Sequence, residues 1–190
     1  MKKSQIMRLV LAALFLAIGY VLPFLTGQIP EIGSMLLPLH LPVLICGFVC
    51  GWQWGLLVGF VLPLTRSLLF GMPPIIPTAL AMAFEMAAYG AVSGLLYQKL
   101  AKRPANVYAS LIGAMLAGRV LWGLVSIPIY AMFTQKTFAL AAFWVGGFVN
   151  AWPGMLLQVV LVPLIVFALE RAKLLPIQPE AARVSHAKAN

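Results

Sequence analysis

Three ionisable residues lie inside stretches of sequence that are otherwise apolar: Arg66, Glu85 and Arg119. Charge is costly in a hydrocarbon layer, so such residues usually face the interior of a helix bundle or a watery cavity and mark the path of a ligand or an ion. Their chemistry would be charge-assisted hydrogen bonding, the arginines to an acidic group and the glutamate to a basic one. These residues are the first candidates for a functional site.

Four polar side chains fall at similar depths in the apolar stretches. With a rise of about 1.5 Å per residue, Glu85, Arg119 and Gln158 lie roughly 12 Å from the outer ends of their helices. Arg66 lies about 9 Å from the outer end of its own helix by the same count. All four are therefore expected in the outer half, or near the middle, of a hydrocarbon core about 30 Å thick.

Helical spacing adds aromatic and amide side chains to this set. Residues three, four, seven or eight positions apart lie near one face of a helix. The residues related in this way are Thr78 and Tyr89 with Glu85, Trp122 with Arg119, and Asn150 with Gln158. We therefore predict a cavity lined by charges, amides and stacking rings.

His40 lies between Pro38 and Pro42, at the outer start of the second apolar span. It could contact a ligand or respond to pH near neutrality. The alternative is an interfacial histidine that is only a satisfied polar group. An alternative also exists for the charges, because Glu85 could pair with Arg119 or Arg66 merely to neutralise them. One carboxylate cannot fully pair two arginines, so at least one cation would remain for an anionic ligand.

The composition requires a membrane environment for nearly all of the chain. Of the 190 residues, 63% are apolar and only 9% are charged, so the polar surface of a soluble domain is lacking. We predict an all-α integral membrane protein with one six-helix domain over residues 1–175 and a disordered cytoplasmic tail over 176–190. The predicted spans are 6–26, 37–52, 53–72, 75–98, 107–133 and 150–170.

The net charge of +9 reports topology rather than nucleic-acid binding, because most basic residues flank the apolar spans. The clusters are Lys2, Lys3 and Arg8, then Lys99, Lys102 and Arg103, then Arg171 and Lys173. All three clusters are predicted to be cytoplasmic, which places both termini on the cytoplasmic side of the membrane. We expect a multi-pass protein of a bacterial cytoplasmic membrane.

Two segments between the spans are irregular. Residues 27–35 carry glycine, proline and polar residues and are interpreted as an outer loop. Residues 134–147 contain an apolar run that is too short to cross, so this segment could lie in the outer interface or cap a cavity.

No motif for catalysis or a cofactor is found in the sequence. A phosphate-binding loop for ATP and the common hydrolase motifs are missing. Cys46 and Cys50 lie on one helical face without the partners of a metal site. We expect that the protein is not an enzyme and that it binds no cofactor or metal. Any energy that its function needs must come from a partner or a gradient.

A pair of small residues, Ala13 and Ala17, would let another helix approach the first span closely. The partner could be another subunit or another helix of this chain.

The order and spacing of several motifs resemble the substrate-binding S-components of energy-coupling factor (ECF) vitamin transporters over roughly residues 5–173. The motifs are Ala13-x-x-x-Ala17, Pro38-Leu39-His40-Leu41-Pro42, Gly47-Phe48-Val49-Cys50-Gly51, Gly55-Leu56-Leu57-Val58-Gly59 and Asn150. The resemblance implies that Ala13 and Ala17 contact a transmembrane coupling subunit driven by two cytoplasmic ATPases. It also implies that a vitamin binds between the outer loop and the later helices, with Asn150 lining the pocket.

Our primary hypothesis is therefore capture of a small water-soluble vitamin or precursor in an outward-facing pocket. Arg66 and Arg119 would favour a carboxylate or phosphate, as in pantothenate-like or nicotinate-like molecules. If Glu85 is free, a cationic B6 or thiamine precursor fits better. The alternatives are a membrane scaffold that transports nothing and a gradient-driven carrier that uses Glu85.

Overall fold

The computed structural model describes residues 2–26, 29–101, 103–134 and 138–172, and in this part of the chain all regular structure is helical. The α-helices are α1 (Lys2–Val21), α2 (Pro30–Leu36), α3 (His40–Cys50), α4 (Trp52–Phe70), α5 (Leu80–Lys99), α6 (Pro104–Thr134), α7 (Leu140–Trp144) and α8 (Trp152–Arg171). A 3-10 turn, Leu22–Thr26, extends α1, and π-helical turns occupy Ile75–Ala79 and Val145–Val149.

Six helical segments are long and apolar enough to cross a membrane: Gln5–Leu25, Glu31–Cys50, Trp52–Phe70, Ile75–Lys99, Pro104–Thr134 and Trp152–Arg171. The prediction of an all-α membrane protein with six spans is confirmed. The tail predicted for residues 176–190 lies outside the described residues.

Successive spans run in opposite directions, so contacts group at two ends of the bundle. At one end Tyr97 of α5 donates a hydrogen bond of 2.5 Å to Glu170 of α8. Basic residues of the α5–α6 connection and of the end of α8 flank this end, which we call the basic end. At the opposite end the hydroxyls of Tyr20 and Thr65 are 2.6 Å apart, joining α1 to α4.

The centre of the bundle is α3, in which every residue is buried. Helices α1, α4, α5 and α8 pack around it. By contrast α1 is the least buried of the spans and exposes large apolar residues along its length. In a membrane protein such a surface faces lipid or another subunit, because little polar solvent is present there.

Glycines set the close packing of α3, α4 and α5. A Cβ atom on Gly55 would lie 2.5 Å from the carbonyl oxygen of Gly90 and 2.8 Å from the Cα of Gly47. A Cβ on Gly94 would lie 2.5 Å from the backbone nitrogen of Trp52. Small residues let helix backbones approach in this way, which gives membrane helices their packing contacts.

The segment predicted as an outer loop, residues 27–35, contains α2 instead. Pro30 occupies the first turn, where its missing N–H is no loss, and Glu31 in the same turn is favoured by the helix dipole. The helix ends because Leu37 is left-handed, with φ 50° and ψ 48°, and its N–H bonds to the carbonyl of Gly33. This break separates α2 from α3.

Candidate functional site

The centre of the candidate site is an ion pair between α5 and α6. Arg119 Nη1 lies 2.8 Å from Glu85 Oε1, and the two side chains are only 5% and 2% exposed. Gly118 permits this approach, because a Cβ at that position would lie 3.0 Å from the Glu85 carbonyl oxygen and would collide with the Tyr89 ring. The sequence predicted equal depths for Glu85 and Arg119, and the structure brings these two side chains together.

His40 reaches the same carboxylate from the start of α3. Its Nε2 lies 3.6 Å from Glu85 Oε1, and its ring meets that of Tyr89 edge-on with centroids 5.2 Å apart. A distance of 3.6 Å is longer than a hydrogen bond, so the two side chains are close neighbours without a direct hydrogen bond. Glu85 therefore faces one arginine and one histidine.

Several buried nitrogens around this pair lack hydrogen-bond partners among the described residues. They are Nε and Nη2 of Arg119 and both ring nitrogens of His40. Buried polar groups are nearly always hydrogen-bonded, and a missing partner costs about 1–3 kcal/mol. Because Glu85 takes Nη1, the Nε–Nη2 edge of Arg119 is left unpaired. Two parallel donors on one guanidinium edge match the two oxygens of a carboxylate or phosphate.

A cavity of about 540 Å³ adjoins the ion pair at the end of the bundle opposite to the basic end. This volume lies within the range of small-molecule sites, about 300–1,000 Å³. Its walls come from the 3-10 turn after α1, from α2 and the start of α3, from α4 and the segment after it, from α5 and α6, and from the π-helical turn after α7. The lining residues are Pro23, Ile29, Glu31, Gly33, Ser34, Leu37, Pro38, Leu39, His40, Arg66, Met72, Pro73, Pro74, Thr78, Met82, Glu85, Arg119, Trp122 and Gly146.

Trp122 forms an aromatic part of the wall, one helical turn beyond Arg119. It stacks on Phe143 with centroids 6.1 Å apart and planes at 24°, and it meets Phe138 edge-on at 5.4 Å. A Cβ on Gly146 would lie 3.3 Å from the Trp122 ring. The segment around α7 therefore packs against this tryptophan and contributes Gly146 to the cavity wall, which is the capping arrangement allowed by the sequence.

Arg66 also lines the cavity, yet its contacts lead away from Glu85. Its Nη1 donates a hydrogen bond of 2.7 Å to the carbonyl oxygen of Tyr20 on α1. Its Cζ lies 5.5 Å from the ring centre of Phe24 and 5.1 Å from that of Phe70. The arginine that pairs with Glu85 is thus Arg119.

Three of the predicted site residues are not among the described residues that line the cavity. Tyr89 is buried and packs against His40. Gln158 is fully buried on α8, and both atoms of its amide lack a described hydrogen-bond partner. Asn150 is exposed. Shared helical faces and similar depths were the reasons for including these residues, and Asn150 was also included because of the family resemblance. None of these reasons fixes the direction in which a helical face points relative to the cavity.

Two polar residues of the wall, Glu31 and Ser34, were not predicted as site residues. They are three positions apart on α2, and the Ser34 hydroxyl donates a hydrogen bond to the Glu31 carbonyl. The available signal was a pair of polar residues at helical spacing, close to Pro30 as a helix start.

Ala13 and Ala17 lie on the face of α1 that points away from the helix bundle, and both are exposed. The face of α1 that packs against the bundle carries Ala12 and Gly19, which are buried. A Cβ on Gly19 would lie 2.5 Å from the Leu62 side chain of α4. The two predicted interface alanines are therefore not used in packing within the described part of this chain.

Comparison with known proteins gives one family match. The family model described as "ECF transporter, substrate-specific component" matches residues 7–166, which contain all six spans apart from their terminal residues. No curated protein and no solved structure matches the chain.

Proposed function

This chain belongs to the family of ECF transporter substrate-specific components, and we propose that it captures a small water-soluble vitamin or vitamin precursor in the cavity beside Arg119. As a member of that family it is a substrate-binding subunit of a multi-pass membrane transporter, which is not a class of enzyme. The choice of substrate and the residues that bind it are our proposal.

The observation that carries the proposal is that Arg119, whose Nε–Nη2 edge is buried and unpaired among the described residues, lines a cavity of about 540 Å³. We propose that this edge binds a carboxylate or phosphate of the substrate. Glu85 would act as a positioning residue, because its contact with Nη1 fixes the guanidinium in the wall. A cationic substrate is the weaker alternative, since Glu85 already faces Arg119 and His40.

Two further side chains would contact the substrate. Trp122 offers an aromatic surface within one helical turn of Arg119, which suits a planar ring. His40 has two unpaired ring nitrogens near the same carboxylate and can donate or accept a hydrogen bond. An acid joined to a ring or a compact polar chain would satisfy these groups together.

Delivery would proceed through the family's coupling subunit and its two cytoplasmic ATPases. We propose that the exposed Ala13 and Ala17 contact the coupling subunit, since small residues permit close helix approach. We also propose that the basic end faces the cytoplasm of a bacterium, by the excess of lysine and arginine there. The cavity then opens outward.

The test is a tryptophan-fluorescence titration of the detergent-purified protein against a panel of B vitamins and their precursors. Saturable sub-micromolar quenching by an acid-bearing compound would support the proposal. Trp122→Phe is the matched control, because it should reduce the fluorescence change while calorimetry still detects binding. If no compound in the panel quenches the fluorescence or gives a heat of binding in calorimetry, the proposal is contradicted and a membrane scaffold is favoured.

Uptake assays address the remaining alternative of a gradient-driven carrier. The proposal expects accumulation of the compound only in cells that also contain the coupling subunit and ATPases. Equal accumulation without them would favour the carrier.

A further inference from the structure

Arg66 connects two parts of the molecule that the proposed function leaves separate. Its side chain is buried on α4 in the wall of the cavity. Its Nη1 donates to the carbonyl oxygen of Tyr20 at 2.7 Å, near the end of α1. The same guanidinium therefore meets the cavity on one side and the backbone of another span on the other.

The end of α1 is built to accept this contact. The last four carbonyl groups of an α-helix have no partner within the helix, and a cation is favoured at that end by the helix dipole. Tyr20 is in the last turn of α1, and its hydroxyl also lies 2.6 Å from the Thr65 hydroxyl. Neighbouring residues of α4 thus hold both the backbone and the side chain of Tyr20.

Two aromatic rings complete the contact. Phe24 follows α1 in the 3-10 turn and Phe70 ends α4, and their rings meet edge-on at 5.4 Å. The guanidinium of Arg66 lies within 5.5 Å of both ring centres. A planar guanidinium suits such stacking, whereas the compact ammonium of a lysine does not reproduce it. We call Tyr20, Phe24, Arg66 and Phe70 the α1 clamp.

The α1 clamp joins the end of α1 to α4, and one of its residues also belongs to the cavity wall. Arg66 lines the cavity, and so does Pro23, which lies between the two clamp residues of the α1 end. Meanwhile α1 is the least buried span, and within the described residues it packs mainly against α3 and α4. The connection between the Arg66 side of the wall and α1 is therefore short and polar.

We propose that Arg66 is a positioning residue that joins the cavity wall to α1, so that substrate capture and delivery remain coupled. This proposal rests on the proposed function, in which α1 carries the contact with the coupling subunit. Loss of Arg66 leaves the cavity beside Arg119 formed but frees the end of α1. Delivery of the substrate is then reduced more than its capture.

The first part of the test requires no ligand. Hydrogen–deuterium exchange would be measured by mass spectrometry on the detergent-purified protein and on Arg66→Gln, Arg66→Lys and Arg103→Gln. The last variant is the matched control, because Arg103 is an exposed arginine near the basic end. We expect Arg66→Gln to speed exchange in residues 18–25 by about tenfold, since local opening sets the exchange rate there. Arg66→Lys should give a smaller increase and Arg103→Gln none. Unchanged exchange in Arg66→Gln would overturn the clamp.

The second part uses the compound identified by the fluorescence titration, with uptake measured in cells that contain the whole transporter. We expect Arg66→Gln to keep its affinity within about threefold and to lower uptake by about tenfold, a usual size for coupling between sites. Arg66→Lys should restore part of the uptake. A parallel fall in affinity and uptake would identify Arg66 as a substrate contact, and unchanged uptake would show that α1 needs no clamp; either result overturns the proposal.

The two parts also separate this proposal from the proposed function. If no compound binds, the proposed function fails, and the exchange result still decides whether Arg66 holds the end of α1. If a compound binds and exchange is unchanged, the clamp fails and the proposed function stands.

Discussion

Replacing Glu85 by glutamine should destabilise the protein strongly, because it leaves the charge of Arg119 buried without a counterion. Glutamine has nearly the shape of glutamate, so packing between α5 and α6 is preserved. The side chains are 2% and 5% exposed, and little solvent is available to screen the remaining charge. Removing one partner of a buried pair costs about 3–5 kcal/mol, so we expect a loss of about this size in the free energy of unfolding.

A double-mutant cycle isolates the contribution of the pair. Arg119→Gln alone leaves a buried carboxylate and should also destabilise by several kcal/mol. The double variant, with Glu85→Gln and Arg119→Gln, contains no buried charge at this site and should be more stable than either single variant. The assay is reversible unfolding in mixed micelles with increasing SDS, followed by tryptophan fluorescence.

The same variants separate a structural role from a role in binding. If the pair only neutralises charge, the double variant recovers stability and loses nothing else. Our proposal requires that it recovers stability but does not bind the acid-bearing substrate. The reasoning is refuted if Glu85→Gln costs less than about 1 kcal/mol, or if the two single effects add within about 0.5 kcal/mol, as they do for independent sites.

Three further substitutions test the packing, the partner surface and the cavity wall. Gly90→Ala should destabilise by about 1–3 kcal/mol in the same unfolding assay, because its new methyl group meets the backbone of α4, whereas Gly33→Ala has open space and should change little. Ala17→Trp should reduce co-purification with the coupling subunit without changing substrate affinity, while Ala109→Trp, at an exposed alanine of α6, should not. Trp122→Ala should weaken binding of a ring-bearing substrate by about tenfold in a calorimetric titration, through lost stacking and apolar contact.

Each of these predictions has a result that contradicts it. Equal stability of the Gly90 and Gly33 variants would mean that α4 and α5 are not held at backbone contact. Equal loss of co-purification in the Ala17 and Ala109 variants would indicate a general effect of bulk on the membrane surface. Undiminished affinity after Trp122→Ala would remove the ring from the proposed binding mode.

The six spans could be predicted because each is an apolar run of membrane length, a property that needs no tertiary information. The meeting of Glu85 and Arg119 was also within reach, since helical rise gave both the same depth. Opposite charges at equal depth on consecutive antiparallel helices have a strong reason to pair.

The direction in which each side chain points around its helix axis could not be predicted from the sequence. Depth alone does not indicate which neighbour a side chain faces, so Arg66 and Arg119 were both possible partners of Glu85. The structure turns Arg66 towards the carbonyl of Tyr20 instead. For the same reason Asn150 shares a predicted face with Gln158 yet is exposed, whereas Gln158 is buried.

Local helix formation in α2 was missed for a different reason. The segment 27–35 was interpreted from its glycines, proline and polar residues, all of which are common in loops. Pro30 falls in the first turn, where proline is tolerated, and the left-handed residue that ends the helix is Leu37, a type that rarely adopts this conformation. Tertiary packing therefore decided the outcome: a Cβ on Gly154 of α8 would lie 2.6 Å from the Met35 carbonyl oxygen.

The most direct test of the central claim is an equilibrium titration of the wild type and of Arg119→Gln with a matched pair of ligands, the acid-bearing compound from the panel and its uncharged counterpart, such as nicotinate and nicotinamide. We predict that the wild type binds the acid about 100-fold more tightly than the uncharged compound, the effect of two charge-assisted hydrogen bonds, and that Arg119→Gln removes this preference. Equal affinity of the wild type and Arg119→Gln for the acid, in variants shown to be folded, would contradict recognition by Arg119.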